Sequence, residues 1–234
     1  MDMLNELRSR LDILLPQTDP IRDKKVLIYR YEIVARFCQF AESLGGLIIG
    51  YDKLNLNSNS QLNNNHAAKV LRSLSGYSIT EIDRLHRKIQ VNSLKYETLF
   101  GYDILDSKYV NEISQSIENI EKILKEIFGC YTFYKESYNA YKHGYRLWVG
   151  KDQSTNIEAA IFRNRVGNEN HVTIDDNSLE IVMKSGKYCF SIFDLIKSNH
   201  KAVLYHLRNS QIKSIRMKFL LDKEEHPEEI NCSI

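Results

Sequence analysis

The chain lacks any pairing among its cysteines. Cys38, Cys130, Cys189 and Cys232 stand far apart with no C-x-x-C spacing. That excludes a zinc ribbon and makes free thiols in a reducing cytosol the expectation. An excess of one charge is missing too: 32 Lys and Arg stand against 30 Asp and Glu, a net +2. No global field draws such a chain to nucleic acid, so any basic site has to be local. No uninterrupted apolar run reaches the ~18 residues of a membrane span. The best, residues 44–50, contains Gly45 and Gly46. The opening MDMLNELRSR does not have the basic-then-apolar order of a signal peptide. A cytoplasmic protein without a membrane partner is the expectation.

Motifs of the common enzyme classes are also absent. There is no H-E-x-x-H and no pair of E-x-x-H motifs, and the seven histidines are scattered, so no metal site is expected. Neither G-x-x-x-x-G-K-[ST] nor G-x-G-x-x-G occurs, and G-x-S-x-G is missing. Kinases, dehydrogenases and the common hydrolases lose ground accordingly, and no cofactor is expected. No internal repeat or clear linker divides the chain.

What is present is concentrated in residues 129–146, GCYTFYKESYNAYKHGYR. Tyr131, Tyr134, Tyr138, Tyr141 and Tyr145 recur at steps of three and four, one continuous stripe on an α-helix. Lys135, Asn139, Lys142 and Arg146 fall on the neighbouring face, and Glu136, Asn139 and His143 follow beside it. Phe133, Ala140 and Gly144 take the remaining arc. Such a stripe serves as a core seam with hydroxyls at a wet edge or in hydrogen bonds. The same residue types, Tyr beside Lys and Arg, also stack bases and hold phosphates in single-strand nucleic-acid binders. The core seam predicts buried Tyr134, Tyr138 and Tyr141.

Elsewhere the pattern is helical up to residue 144. Leu4, Leu7, Leu11 and Leu14 predict a helix over residues 1–15, broken by Pro16 and Pro20. A second covers residues 21–51, with Val26, Ile33, Phe37, Phe40, Leu44 and Leu47 on one face and Glu32 and Glu42 solvated. Residues 54–65, LNLNSNSQLNNN, read as a surface loop, and residues 66–75 as a short helix. Ser78 and Glu81 form a capping box for a helix from Ile79. That helix turns Ile82, Leu85 and Ile89 inward and Arg84, His86, Arg87 and Lys88 outward. Phe100-Gly101-Tyr102 reads as a turn, and Asp106 or Ser107 as the cap of a long helix that Gly129 either kinks or ends. Gly144 is the candidate C′ residue, which puts His143 in a last turn.

After residue 144 short runs rich in β-branched and aromatic residues predict an antiparallel meander, with strands over residues 145–149, 159–163, 172–174, 179–184 and 187–192. Asp194 is the expected cap of a closing helix to about Arg216, and the acidic tail is expected to fray. The fold class is therefore α+β: an N-terminal helical bundle, residues 1–144, and a small meander with a closing helix, residues 145–234.

The hexapeptide Tyr138-Asn139-Ala140-Tyr141-Lys142-His143 resembles the R-N-x-x-x-H motif of HEPN domains, helical bundles of many bacterial RNases, toxins and antiphage proteins. The resemblance covers residues 20–145. Asn139 and His143 match the second and last positions, and Tyr138 stands where the family has Arg. It implies a helical bundle whose motif lies on a late helix, a dimer that brings two motifs together, and action on RNA phosphates. RNA cleavage requires a group that accepts the 2′-hydroxyl proton, a role open to His143 with Asn139 orienting it. It also requires a cation for the charged phosphorane, a role open to Lys142 or Arg146. Two functions follow. One is a non-enzymatic scaffold that binds protein partners or itself, as a subunit of a bacterial antiviral or toxin-type assembly. The other is a metal-independent ribonuclease. The binding residues in either are Lys135, Tyr138, Lys142 and Arg146. Loss of the motif's Arg favours the scaffold.

Overall fold

Helical periodicity accounts for the first half of the chain. In the computed structural model, which describes residues 2–14, 16, 22–55, 79–143, 147–151, 158–163, 167–209, 211–222 and 226–234, α1 spans Asp2–Leu14 and buries Leu4 and Leu11. Helix α2, Arg22–Asn55, continues past the end expected near Tyr51. Ile33, Phe37, Ala41, Leu44 and Ile48 make its buried stripe. Helix α3, Ile79–Gln90, turns Ile82, Leu85 and Ile89 inward as its spacing predicts. The loop expected beyond Asn55, the helix over residues 66–75, Ser78, Gly144, Tyr145 and Arg146 lie outside the described residues.

One apolar stretch behaves differently from the run-based reading. Helix Arg22–Asp52 is long enough, and one 18-residue window within it apolar enough, to cross a membrane, because scattered polar residues interrupt a run without making the stretch polar. Of that window, 67% is buried inside the protein, as in the core helix of a globular fold.

The expected turn at residues 100–102 follows the short α4, Tyr96–Leu99. Gly101 there has φ 72°, and a Cβ on it would stand 2.9 Å from Val203 Cγ2, so both conformation and space call for glycine. Asp106 caps a single 3₁₀ turn by accepting from the Lys108 amide at 3.3 Å. Helix α5 then runs unbroken over Val110–Lys142. Gly129 lies inside it and does not separate two helices.

Three strands form a meander, β1 Leu147–Lys151, β2 Glu158–Arg163 and β3 Glu169–Val172, antiparallel in that order; the third lies ahead of the stretch expected at residues 172–174, of which only Val172 is in the strand. In β2 Ala159, Ala160, Ile161 and Phe162 are all buried, so both faces of the central strand are covered. The two further strands expected at residues 179–184 and 187–192 are instead helical, part of α6, Asp176–Arg208. Leu179, Val182, Gly186, Cys189, Ile192, Ile196, Asn199 and Val203 are buried at steps of three and four, a period that outweighs the β-propensity of the individual residues. Asp175, not Asp194, caps this helix, accepting from the Ser178 amide at 2.7 Å. Asp194 lies mid-helix, exposed, and pairs with Lys218 at 2.6 Å. The tail is not frayed: β5, Glu228–Ser233, pairs antiparallel with β4, Ser214–Phe219. Ile215, Met217 and Phe219 on β4 and Cys232 on β5 bury their side chains.

The class is α+β and rich in helix, with two small antiparallel sheets. The chain packs as two units, Met1–Ala41 with Ile127–Lys187, and Glu42–Glu126 with Tyr188–Ile234. Each unit combines residues from before and after residue 144. In the first, Arg30 on α2 holds the start of α6, donating to the Ile174 carbonyl at 2.7 Å and to Asp176 Oδ1 at 2.5 Å. Also in the first, the Cys130 thiol lies near Ser185 and the Tyr134 phenol near Ser178, two meetings between α5 and α6. In the second, Asn199 on α6 is fully buried and joins the turn at Phe100 to β4.

Candidate functional site

The C-terminal half of α5, in the first unit, carries the tyrosine stripe. Tyr131, Tyr134 and Tyr138 are buried, the last at 4% exposure, as a seam of large rings on a helix requires. Tyr141 departs from the expected set: it is 39% exposed. Its hydroxyl donates to Glu32 Oε2 at 2.7 Å, and its ring lies 5.9 Å from that of Tyr31. Tyr131 takes its place in the core because the inward arc is set by what packs against α5, not by the stripe alone. Burial pushes the Tyr31 and Tyr134 phenols up and the Cys130 thiol to about 11. The Tyr141 phenol is raised chiefly by its bond to the Glu32 carboxylate.

Glu32, expected on a solvated face, is therefore part of the site. Its other oxygen accepts from Arg36 Nε at 2.9 Å, and Arg36 Nη1 reaches Gln39 Oε1 at 3.2 Å. The i, i+4 spacing of Glu32 and Arg36 was the available signal. Nothing local marked Tyr141 as their partner, 109 residues away in sequence.

The motif residues occupy the last two turns. The His143 amide donates to the Asn139 carbonyl at 3.2 Å, which places the two side chains on one helix face. His143 is exposed, and Asn139 and Lys135 are half-buried. The Lys142 ammonium stands 5.0 Å from the centre of the Tyr138 ring, a cation–π contact. Tyr138 is thus a core group with a lysine on its ring, and an incoming base finds little face to stack on. Arg146 is outside the described residues. The structure brings Asn139, Lys142 and His143 together at the helix end, with Lys142 and Arg36 each engaged by a neighbour.

Two other polar groupings belong to the second unit. On α3, Arg84 and Arg87 are exposed while Lys88 is bonded to Asp52. On α6, His200 stacks on Tyr51 with ring centres 4.2 Å apart, and its Nε2 lies 2.8 Å from the Leu99 carbonyl. Burial lowers its pKa. Both groupings tie helices to neighbouring segments. Among the described residues no three His, Cys, Asp or Glu side chains gather as metal ligands would.

No family model matches the chain, no curated protein is similar to it, and no solved structure resembles it. The likeness to HEPN domains rests on the residues of the motif.

Proposed function

We propose that this chain is a non-enzymatic helical binding or scaffold protein, an accessory subunit of a bacterial assembly of the antiphage or toxin type, acting through protein contacts. The observation that carries the reading is Tyr138. It stands where the HEPN motif has its arginine and is buried with Lys142 on its ring. Position 138 thus supplies no guanidinium fork, Arg36 is bonded to Glu32 and Gln39, and a lysine held on a ring does not replace a fork. The alternative, a metal-independent ribonuclease with a degenerate motif, is favoured by the exposure of His143 one turn from Asn139. A native mass measurement on the purified chain, alone and with its co-expressed neighbours, tests the binding reading. The expected result is a particle heavier than one chain in at least one preparation. A single-chain mass in both contradicts it.

A further inference from the structure

The three-stranded sheet of the first unit ends in an open strand. Among the described residues, no hydrogen bond beyond the β1–β2 ladder reaches Leu147–Lys151. The two-stranded sheet of the second unit is closed by side chains on both of its strands. On β5, Tyr109 Oη donates to the Asn231 carbonyl at 3.4 Å and accepts from the Ser233 amide at 3.0 Å. On β4, Asn199 holds both the amide and the carbonyl of Lys218. β3, the other edge of the larger sheet, exposes Glu169 and His171. β1 has few of the guards that edges carry: no proline, no bulge in its register, and one charge, Lys151, at its end. Its Trp148 is 38% exposed, with Arg163 over the ring at 5.7 Å, and Leu147 and Val149 are half-buried.

We propose that β1 pairs antiparallel with β1 of a second copy, about a two-fold axis at Val149, joining two three-stranded sheets into one of six. That register sets Val149 against Val149, Trp148 against Gly150 and Leu147 against Lys151. The bulkiest residue of the strand then faces the one without a side chain, and an aromatic neighbour offsets the weakness that glycine brings to a strand. A Cβ on Gly150 would stand 3.0 Å from Ile161 Cδ1 and 3.8 Å from Trp148 Cδ1, so each indole leans along its own strand toward Gly150. The two indoles become diagonal neighbours on one face of the joined sheet, within reach of each other. The two Lys151 ammoniums come to opposite ends, four residues or about 13 Å apart along the strand, beyond the ~10 Å screening length of 0.1 M salt. This match of large to small and of charge to apolar about a single residue selects a second copy over an unlike strand. The inference rests on the binding reading and adds one partner and the edge it takes, in β1 rather than at the helix end that bears the motif. One pair of strands is a small interface, so the dimer dissociates on dilution.

Sedimentation equilibrium of the full chain, over about three decades of concentration up to ~200 µM, tests this beside the fluorescence of Trp148, the one tryptophan of the sequence. The expected result is a monomer–dimer equilibrium, with the tryptophan emission moving to the blue over the same concentrations. Two variants at one position test the register. Leu147→Lys sets an ammonium opposite Lys151 of the other copy, twice by symmetry, and Leu147→Glu sets a carboxylate there. Both lose the same leucine, so the difference between them reads the cross-strand charge: Leu147→Glu dimerises about tenfold more tightly than Leu147→Lys. If either variant does not fold, the wild-type emission decides. A chain that stays monomeric at the highest concentration overturns the inference. So does a dimer whose tryptophan emission does not move, or one that the two variants form equally. A monomer that still enters a heavier complex with co-expressed neighbours overturns it too, and leaves the binding reading standing.

Discussion

Asn199→Ala will lower the free energy of unfolding by about 3 kcal/mol or more, since each buried backbone group left without a partner costs ~1–3 kcal/mol. The side chain is fully buried in the second unit. Its Nδ2 donates to the Phe100 carbonyl at 3.1 Å and to the Lys218 carbonyl at 3.0 Å, and its Oδ1 accepts from the Lys218 amide at 2.7 Å. Truncation removes three bonds to backbone groups at once. The neighbouring bonds compensate little. Only the Lys218 carbonyl keeps a partner, the Tyr102 hydroxyl at 2.8 Å, so the Phe100 carbonyl and the Lys218 amide are the two groups that lose theirs. Urea unfolding at constant slope reads the loss. A change below about 1 kcal/mol would mean that water replaces all three bonds and that the Asn199 bridge is not what joins the Phe100 turn to β4.

Tyr138→Ala is the second large effect, a loss of about 3 kcal/mol or more, in the range measured when a buried aromatic ring is removed. The ring is buried in the seam of α5, and its removal also takes away the surface on which the Lys142 ammonium rests. Tyr141→Ala serves as the comparison. That ring is half open to solvent and is held by one hydroxyl bond to Glu32 and by its packing on Tyr31, so its loss costs only about 1 kcal/mol. Equal losses at residues 138 and 141 would contradict the division of the stripe into buried and exposed members.

These two sites differ in how legible they were. Tyr138 lies on a helix that periodicity alone announces, because five tyrosines at three-four spacing leave no other regular structure. Asn199 lies on a helix that local chemistry conceals. Tyr188, Cys189, Phe190 and Ile192 carry β-propensity, and Ser185-Gly186 imitates a turn. The helical period of α6 emerges only over a window long enough to join Leu179 to Val203, where burial at every third or fourth residue overrides the short-range signal. Strand β5 escaped for a different reason. Its acidic, proline-led sequence buries one side chain, Cys232, and its order comes from the ladder with β4 rather than from its own pattern. At the candidate site the helix end bearing Asn139, Lys142 and His143 was readable. The exchange of Tyr141 for Tyr131 in the core was not, because it depends on where Glu32 and Tyr31 of α2 fall.

The central claim is that the helix end bearing the motif does not cleave RNA. Its most direct test is incubation of the pure protein, with chelator present, with single-stranded and structured RNA, beside His143→Ala. A general base contributes about 10²–10⁴ in rate, so an active nuclease would lose nearly all its activity with His143 while its stability changed by no more than ~1 kcal/mol. The account predicts that both proteins leave the RNA intact over the background rate and that both keep the same native mass. Robust metal-independent cleavage by the wild type, abolished in His143→Ala at unchanged stability, would contradict it.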